Sequence, residues 1–425
     1  MKISRRFGLY ALLGLLLSWV VSCSPGLQPS GSQEIEFWTM QLQPQFTDYF
    51  KNLIATFETA NSGVKVRWVD VPWTAMESKI LTAVSARRAP DVVNLNPDFA
   101  SQLASRRAWL DLDSKVSATV RQLYLPNIWK ASTLNDQSFG IPWYLTTRVT
   151  IYNQDLFKQA GISKPPATYT ELAEVAAKIK QKTGKYGFFA TLVPSDSAEV
   201  LESFVQMGVQ LVDGSGKAAF NTPEGKAAFQ FWVDLYKQGY LPREALTQGH
   251  RHAIELYQAG ETAILASGAE FINTIEKNAP AIAKVSAAAP QITGKTGKKN
   301  VAVMNLVIPR DAKNPDLGLK FALFVTNDQN QLAFAQAANV LPSTVAALKD
   351  YQQQIAQDKN ASAVALARSI SAGQLQDAEV LVPAMKNLKV LQKAIYENLQ
   401  AAMLGEKTVD QAIADAAQTW NQSQG

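Results

Sequence analysis

Glu34-Ile35-Glu36-Phe37-Trp38, Val64-Lys65-Val66-Arg67-Trp68-Val69 and Asp91-Val92-Val93-Asn94-Leu95 are the three runs whose reading decides the fold class. The first two alternate between polar and apolar residues, as a strand with one face on a core does. The third is the short apolar run of a strand buried on both faces. Between the first two, Phe50, Leu53, Ile54 and Phe57 recur at helical spacing. They predict a helix over Asp48 to Ala60 with Thr47 as N-cap. A second helix is predicted over Ala75 to Arg87. Strands separated by helices argue for an α/β fold with a parallel sheet, because parallel neighbours need a long crossover.

Working outward, the same signals continue toward the C-terminus. Thr168-Tyr169-Thr170-Glu171 is a capping box. It opens a helix with Leu172, Val175, Ala176 and Ile179 on its inner face, ending near Gly184. Thr222-Pro223 opens another, with Phe231, Trp232 and Leu235 inward and Gly239 at its end. Lys313 to Asn327, Gln329 to Ala338 and Val409 to Trp420 also read as helices. No fixed-period repeat is present.

The N-terminus is of another kind. Lys2, Arg5 and Arg6 precede the apolar run Phe7 to Val21. That run is shorter than the roughly 20 residues of a membrane-crossing helix. It has the pattern of a signal peptide, residues 1–22. Val20-Val21-Ser22-Cys23 resembles the lipobox of bacterial lipoproteins, which implies a diacylglycerol on the Cys23 thiol. Cys23 is the only cysteine, so no internal disulfide competes for it. Residues 23–33, rich in Ser, Pro, Gly and Gln, read as a flexible tether. The expected product is an exported, lipid-anchored protein on the periplasmic face of a bacterial cell membrane.

Composition narrows the function. The whole chain carries 41 Lys+Arg, 36 Asp+Glu and a formal charge of +5. Removing the signal leaves 38 basic residues against 36 acidic ones, near +2. That balance gives no support to nucleic-acid binding. About 400 mature residues exceed one ordinary core, so two lobes are expected.

Catalytic patterns are missing. His250 and His252, the only histidines, have no zinc spacing around them and read as a surface pair beside Arg251. Gly214-Ser215-Gly216 is not a nucleophile elbow. Gly294-Lys295-Thr296 would need a glycine at 289 to be a phosphate loop, and Ala289 stands there. No enzyme, metal or cofactor is expected.

Several segments together resemble the sugar-binding family of solute-binding proteins of ABC importers, related to maltose- and glycerol-phosphate-binding proteins. They are Ala89-Pro90-Asp91-Val92-Val93, Gly140-Ile141-Pro142-Trp143-Tyr144, Ile151-Tyr152-Asn153-Gln154-Asp155-Leu156-Phe157, Gly260-Glu261-Thr262-Ala263-Ile264, Leu341-Pro342-Ser343 and Thr408-Val409-Asp410-Gln411-Ala412. The resemblance spans nearly the whole mature chain. It implies a type II-like periplasmic-binding-protein fold: two lobes, each a parallel-rich sheet flanked by helices, joined by hinge crossovers. Residues 34–142 and 294–338 would form the first lobe, 146–290 and 341–425 the second. It also implies a monomer that binds a carbohydrate and docks on permease subunits with a cytoplasmic ATPase. A lipid-anchored glycan hydrolase and a sensory sugar-binding module are the alternatives.

Sugars present flat C–H faces and a rim of hydroxyls, so their sites combine aromatic platforms with polar side chains. Open α/β sheets hold ligands beyond the carboxyl ends of their strands. The candidates there are Trp38, Gln41 and Gln43 after the first strand, Trp73 after the second, and Asn96 and Asp98 after the third. Trp143, Tyr144, Thr146 and Arg148 lie at the first crossover, with Trp143 and Tyr144 expected to touch ligand. Asn305 is a further candidate. The resemblance adds Asp98 as a family ligand position. It also adds Glu270 and Lys389, which stand where maltodextrin binders carry stacking aromatics. That departure favours a disaccharide, a glycosylated polyol or a polyol phosphate over a long glucan.

Overall fold

The computed structural model describes residues 33–104, 107–194, 196–358 and 362–424. The expected signal peptide, Cys23 and the tether up to residue 32 lie outside the described residues.

Strands β1 (Gln33–Met40), β2 (Val64–Val71) and β3 (Val92–Leu95) are parallel, with β1 in the middle: Phe37 pairs with both Trp68 and Val92. Helices α1 (Thr47–Ala60) and α2 (Trp73–Ser85) are their crossovers, and α3 (Pro97–Ala104) follows β3. Because β1 is central, both of its faces are covered. Ile35 and Phe37 enter one apolar cluster with Phe50, Phe57 and Phe321. Trp38 and Met40 enter another with Met76, Ile80 and Phe99.

Two local expectations shift. Thr47 does not cap α1. Its hydroxyl donates to Pro44 O at 2.9 Å, and Phe46 occupies the cap position without a side-chain bond. α2 begins at Trp73 rather than Ala75, because the extended Pro72 leads directly into the first turn. The small hairpin β4 (Thr133–Leu134) and β5 (Gln137–Ser138) turns through Asn135 and Asp136 at positive φ, which these residues tolerate.

Strand β6 (Ile141–Asn153) decides the architecture. At about 3.3 Å per residue, its 13 residues span roughly 43 Å. Its first half pairs antiparallel with β9 (Lys299–Val307), from Ile141↔Leu306 to Thr147↔Val301. Its second half pairs antiparallel with β7 (Ile264–Gly268) and β8 (Ser286–Ala289), beginning at Arg148↔Gly268. β3 also pairs antiparallel with β9. In place of two separate parallel-rich sheets, one mixed sheet of nine strands runs through both lobes, and β6 belongs to each.

The second lobe is built by α4 (Tyr169–Thr183), α5 (Glu199–Gln206), α6 (Pro223–Lys237), α7 (His250–Gln258) and α8 (Phe271–Asn278). The capping box at Thr168 and Glu171 closes the start of α4, and Gly184 at φ 72° ends it. Thr222 caps α6 by accepting from Gly225 N. Phe231 is only partly covered; Phe229, Trp232 and Val233 are the buried side chains beside it.

Helices α9 (Pro315–Val325) and α10 (Asp328–Ala338) return to the first lobe. After them come β10 (Leu341–Pro342), α11 (Val345–Gln357), α12 (Ala363–Gln374) and β11 (Ala378–Glu379). Assigning all of 341–425 to the second lobe is corrected here. β10 pairs with Tyr144 and Leu145, β11 pairs with β9, and Tyr351 and Leu375 pack in the first-lobe cluster. α12 packs Ala367 against Ile151, Leu265 and Ala288 of the second lobe, and α13 (Leu388–Leu404) and α14 (Val409–Gln422) join that lobe through Ile395, Tyr396, Ile413 and Trp420. No helix of the described residues is long and apolar enough to cross a membrane.

Candidate functional site

The carboxyl ends of β1, β2 and β3 face the second lobe, and β6 runs between the lobes. Beyond a bulge at Trp143, where the pairing with β9 shifts register, β6 alternates: Leu145 and Thr147 are buried, whereas Tyr144, Thr146 and Arg148 are half-exposed. Trp143 is buried as well, with its ring 4.9 Å from that of Tyr144. Trp143 is 1 % exposed. Its ring stacks on Phe334 at 5.1 Å and meets Phe50 edge-on at 5.9 Å. The expected ligand platform at Trp143 is therefore a core side chain. Tyr144 keeps the cleft face. Burial pushes its phenol up, and the negative charges of Glu270 and Asp70 push it further. Its hydroxyl thus lies in the field of one carboxylate from each lobe.

Asp70 organises the loop after β1. It accepts from Thr39 Oγ1 at 2.7 Å, Leu42 N at 3.0 Å and Gln43 N at 2.9 Å. Between them Gln41 sits at φ 53°, and the side chains of Gln41 and Gln43 remain exposed. Trp73 is half-buried with its ring 5.8 Å from Phe99. Asn96 accepts from Phe99 N at 2.7 Å and so holds the start of α3. Trp38 is 5 % exposed, donates to Glu36 and lies under Lys79, so it too belongs to the core. Asn305 is fully buried and accepts from Ser132 Oγ at 2.6 Å. A Cβ on Gly140 would press on it, so Asn305 is a packing residue and not a cleft residue.

On the second-lobe side, Arg148 Nε lies 3.0 Å from Glu202 and Nη1 3.6 Å from Glu199. Both acids come from α5. Burial pushes Glu199 up to about 7, against the pull of Arg148 and the Thr191 amide. His250 Nδ1 is 3.8 Å from Glu199, and Nε2 is 3.0 Å from Ser267 Oγ. Burial and Arg148 bring His250 down to about 3, so it is neutral at ordinary pH. His250 is thus part of a half-buried polar cluster and not of a surface pair. Glu270 stands just before α8, and its Oε2 is buried without a hydrogen-bond partner. Burial pushes this carboxyl up to about 7, with its own amide and Arg148 acting against. It folds over Gly268, where a side chain would collide with it.

Lys389, in the first turn of α13, reaches the first lobe. Its Nζ is 2.5 Å from Asp98, 3.8 Å from Glu77 and 5.5 Å from the Phe99 ring. The structure thus brings Lys389 of the second lobe against Asp98 and Glu77 of the first, and Arg148 against Glu199 and Glu202, while Gln41, Trp73 and Asn96 follow β1, β2 and β3. Asp70, Glu77, Glu199 and Glu202 were not singled out from sequence. Asp70 and Glu77 had a usable signal, since they follow or end β2 on the cleft side; the α5 acids had none. Among the described residues, no three His, Cys, Asp or Glu side chains are grouped to hold a metal ion.

The sequence profile of the family described as bacterial extracellular solute-binding protein matches residues 43–332. The crystal structure of a candidate oligosaccharide periplasmic-binding protein from Synechococcus sp. MITs9220, in complex with zinc, superposes with a TM-score of 0.88 at 46% identity. The match covers 92% of this chain and 98% of that one. The diacetylchitobiose binding protein DasA of Streptomyces coelicolor is 24% identical over 373 residues, 86% of this chain and 84% of DasA. An uncharacterized lipoprotein of Streptomyces antibioticus is 24% identical over 372 residues, 84% of this chain and 80% of its own. With a profile that spans well over half of the sequence and a two-lobed fold to match, the chain belongs to the bacterial extracellular solute-binding protein family.

Proposed function

We propose that this protein is the lipid-anchored receptor of an ABC importer, capturing a neutral sugar-like solute between its lobes and handing it to the permease without chemical change. The observation that carries this reading is Tyr144, half-exposed on a strand shared by both lobes, whose phenol is raised by burial and by the charges of Glu270 in one lobe and Asp70 in the other. A polyhydroxylated solute seated there would bond acceptors from both sides at once. Hinge closure would then bury it. Trp73 and Tyr144 supply the aromatic faces that sugars need.

The charge pattern selects among solutes. Arg148 is held by Glu199 and Glu202, and Lys389 by Asp98 and Glu77. A phosphate would find both of these cleft cations already neutralised. A disaccharide or glycosylated polyol fits better than a polyol phosphate, in keeping with the disaccharide named for DasA. Acylation of Cys23, a position on the periplasmic face of a bacterial cell membrane, and a monomeric receptor complete the proposal.

A thermal-shift panel of sugars, polyols and their phosphates, followed by calorimetry, tests it. Bound solute raises the melting temperature by mass action. The expected outcome is saturable binding of a neutral sugar with no product in the mixture. Product formation, or a preference for the phosphorylated member of each pair, would defeat the reading.

A further inference from the structure

Lys389 is rooted in the second lobe. Its helix α13 buries Leu388, Leu391, Ile395 and Leu399 in that lobe's core, so the side chain can reach Asp98 only while the lobes are close together. Asp98 and Glu77 are equally rooted in the first lobe, on α3 and α2 behind the carboxyl ends of β3 and β2. The three side chains are only 19 %, 23 % and 28 % exposed for Lys389, Asp98 and Glu77 respectively. Burial raises the Glu77 carboxyl, Lys389 lowers it, and Asp98 raises it again.

We propose that Lys389 is a specificity residue: its ion pair with Asp98, backed by Glu77, latches the lobes together and takes the stretch of cleft over Asn96–Asp98 out of reach, so that only a solute of disaccharide length or less is accepted. This rests on the sugar-binding reading of the same cleft. A neutral hydroxyl entering between Lys389 and Asp98 would leave two half-buried charges poorly compensated, which is strongly unfavourable. A solute confined to the part of the cleft beside Tyr144 and Glu270 leaves the pair intact. A longer chain would have to break it.

Two measurements test the latch. Small-angle scattering without added solute reads lobe separation directly. Lys389→Ala and Asp98→Asn should each enlarge the radius of gyration, and the swapped pair Lys389→Asp with Asp98→Lys should restore it. Calorimetry then compares maltose and N,N′-diacetylchitobiose with their four-ring homologues. The natural chain should favour the disaccharide, and Lys389→Ala should narrow that preference by about tenfold, a change of about 1.4 kcal/mol. An unchanged radius in both single variants, or a natural chain that binds the four-ring sugars as tightly as the disaccharides, overturns the latch. If neither sugar series binds at all, the proposed function falls, and the scattering comparison still decides the latch by itself.

Discussion

Two adjacent aromatic residues, Trp143 and Tyr144, have rings 4.9 Å apart and both meet Phe334, yet Trp143 is buried and Tyr144 is half-exposed, because β6 bulges between Pro142 and Tyr144. Trp143→Ala should cost about 3–5 kcal/mol of stability, the usual range for emptying a large aromatic site. Denaturant unfolding would show this, while calorimetry on the folded fraction should return an unchanged affinity. Tyr144→Phe should behave in the opposite way. It keeps the ring and its contact with Phe334 but removes the hydroxyl that feels the charges of Glu270 and Asp70. Affinity for the solute should weaken by about 1–1.5 kcal/mol, with the melting temperature nearly unmoved. Glu270 and Glu199 share the pH dependence, and Glu270 is the one whose share a cleft substitution isolates. Its carboxyl is raised to about 7 in the fold, above its unfolded value, so the folded state holds more protons in between. Its contribution to stability is present below about pH 4.3 and is lost as pH rises through 7. Glu270→Gln should therefore match the natural chain at pH 4 and melt above it at pH 8.5. An equal melting difference at both pH values would reject this account of the carboxyl.

At the scale of elements, much was legible because the deciding interactions are local. The capping box at Thr168 and Pro223 with its Thr222 cap act within a few residues, and each stands in the structure. The alternation read in β1 gives way to burial of every residue from Phe37 to Met40, because β2 and β3 flank it and both faces are covered. What was not legible depends on partners far along the chain. Trp143 is buried by Phe334, almost two hundred residues later. His250 is buried beside Glu199 and Ser267, and β10 and β11 were drawn back to the first lobe by β6 and β9. The turn from β7 into α8 shows how an element sets a site. Gly268 pairs with Arg148 and leaves room for the Glu270 carboxylate to fold back above it. Gly268→Ala has no positive φ to satisfy, so the backbone should accept it. The added methyl must instead push the carboxylate away from Arg148 and Tyr144. The expected result is a solute affinity lowered severalfold, together with loss of the pH-dependent melting assigned to Glu270. A variant retaining both would separate Gly268 from the site.

For the molecule as a whole, the direction of β1 ties anchoring to function. β1 begins at Gln33, ten residues after Cys23, and runs toward the cleft. The cleft residues stand beyond its far end, at Gln41 and Gln43. Eight residues of strand place roughly 26 Å between the two ends. A ten-residue tether reaches at most about 35 Å. An acyl group on Cys23 would therefore keep the first lobe close to the bilayer while the solute site stays on the side away from the tether. Capture and anchoring should then be separable. Cys23→Ala should move the protein from the detergent phase to the aqueous phase in a phase-separation assay and abolish labelling by palmitate. The solute affinity of the released protein should agree with that of the natural chain within about twofold, because every cleft residue lies on elements rooted in the two lobe cores. Import by whole cells should nevertheless fall, since a freed receptor loses the high effective concentration that a short tether gives it at the permease. Import unaffected by the substitution would show that docking does not depend on the anchor.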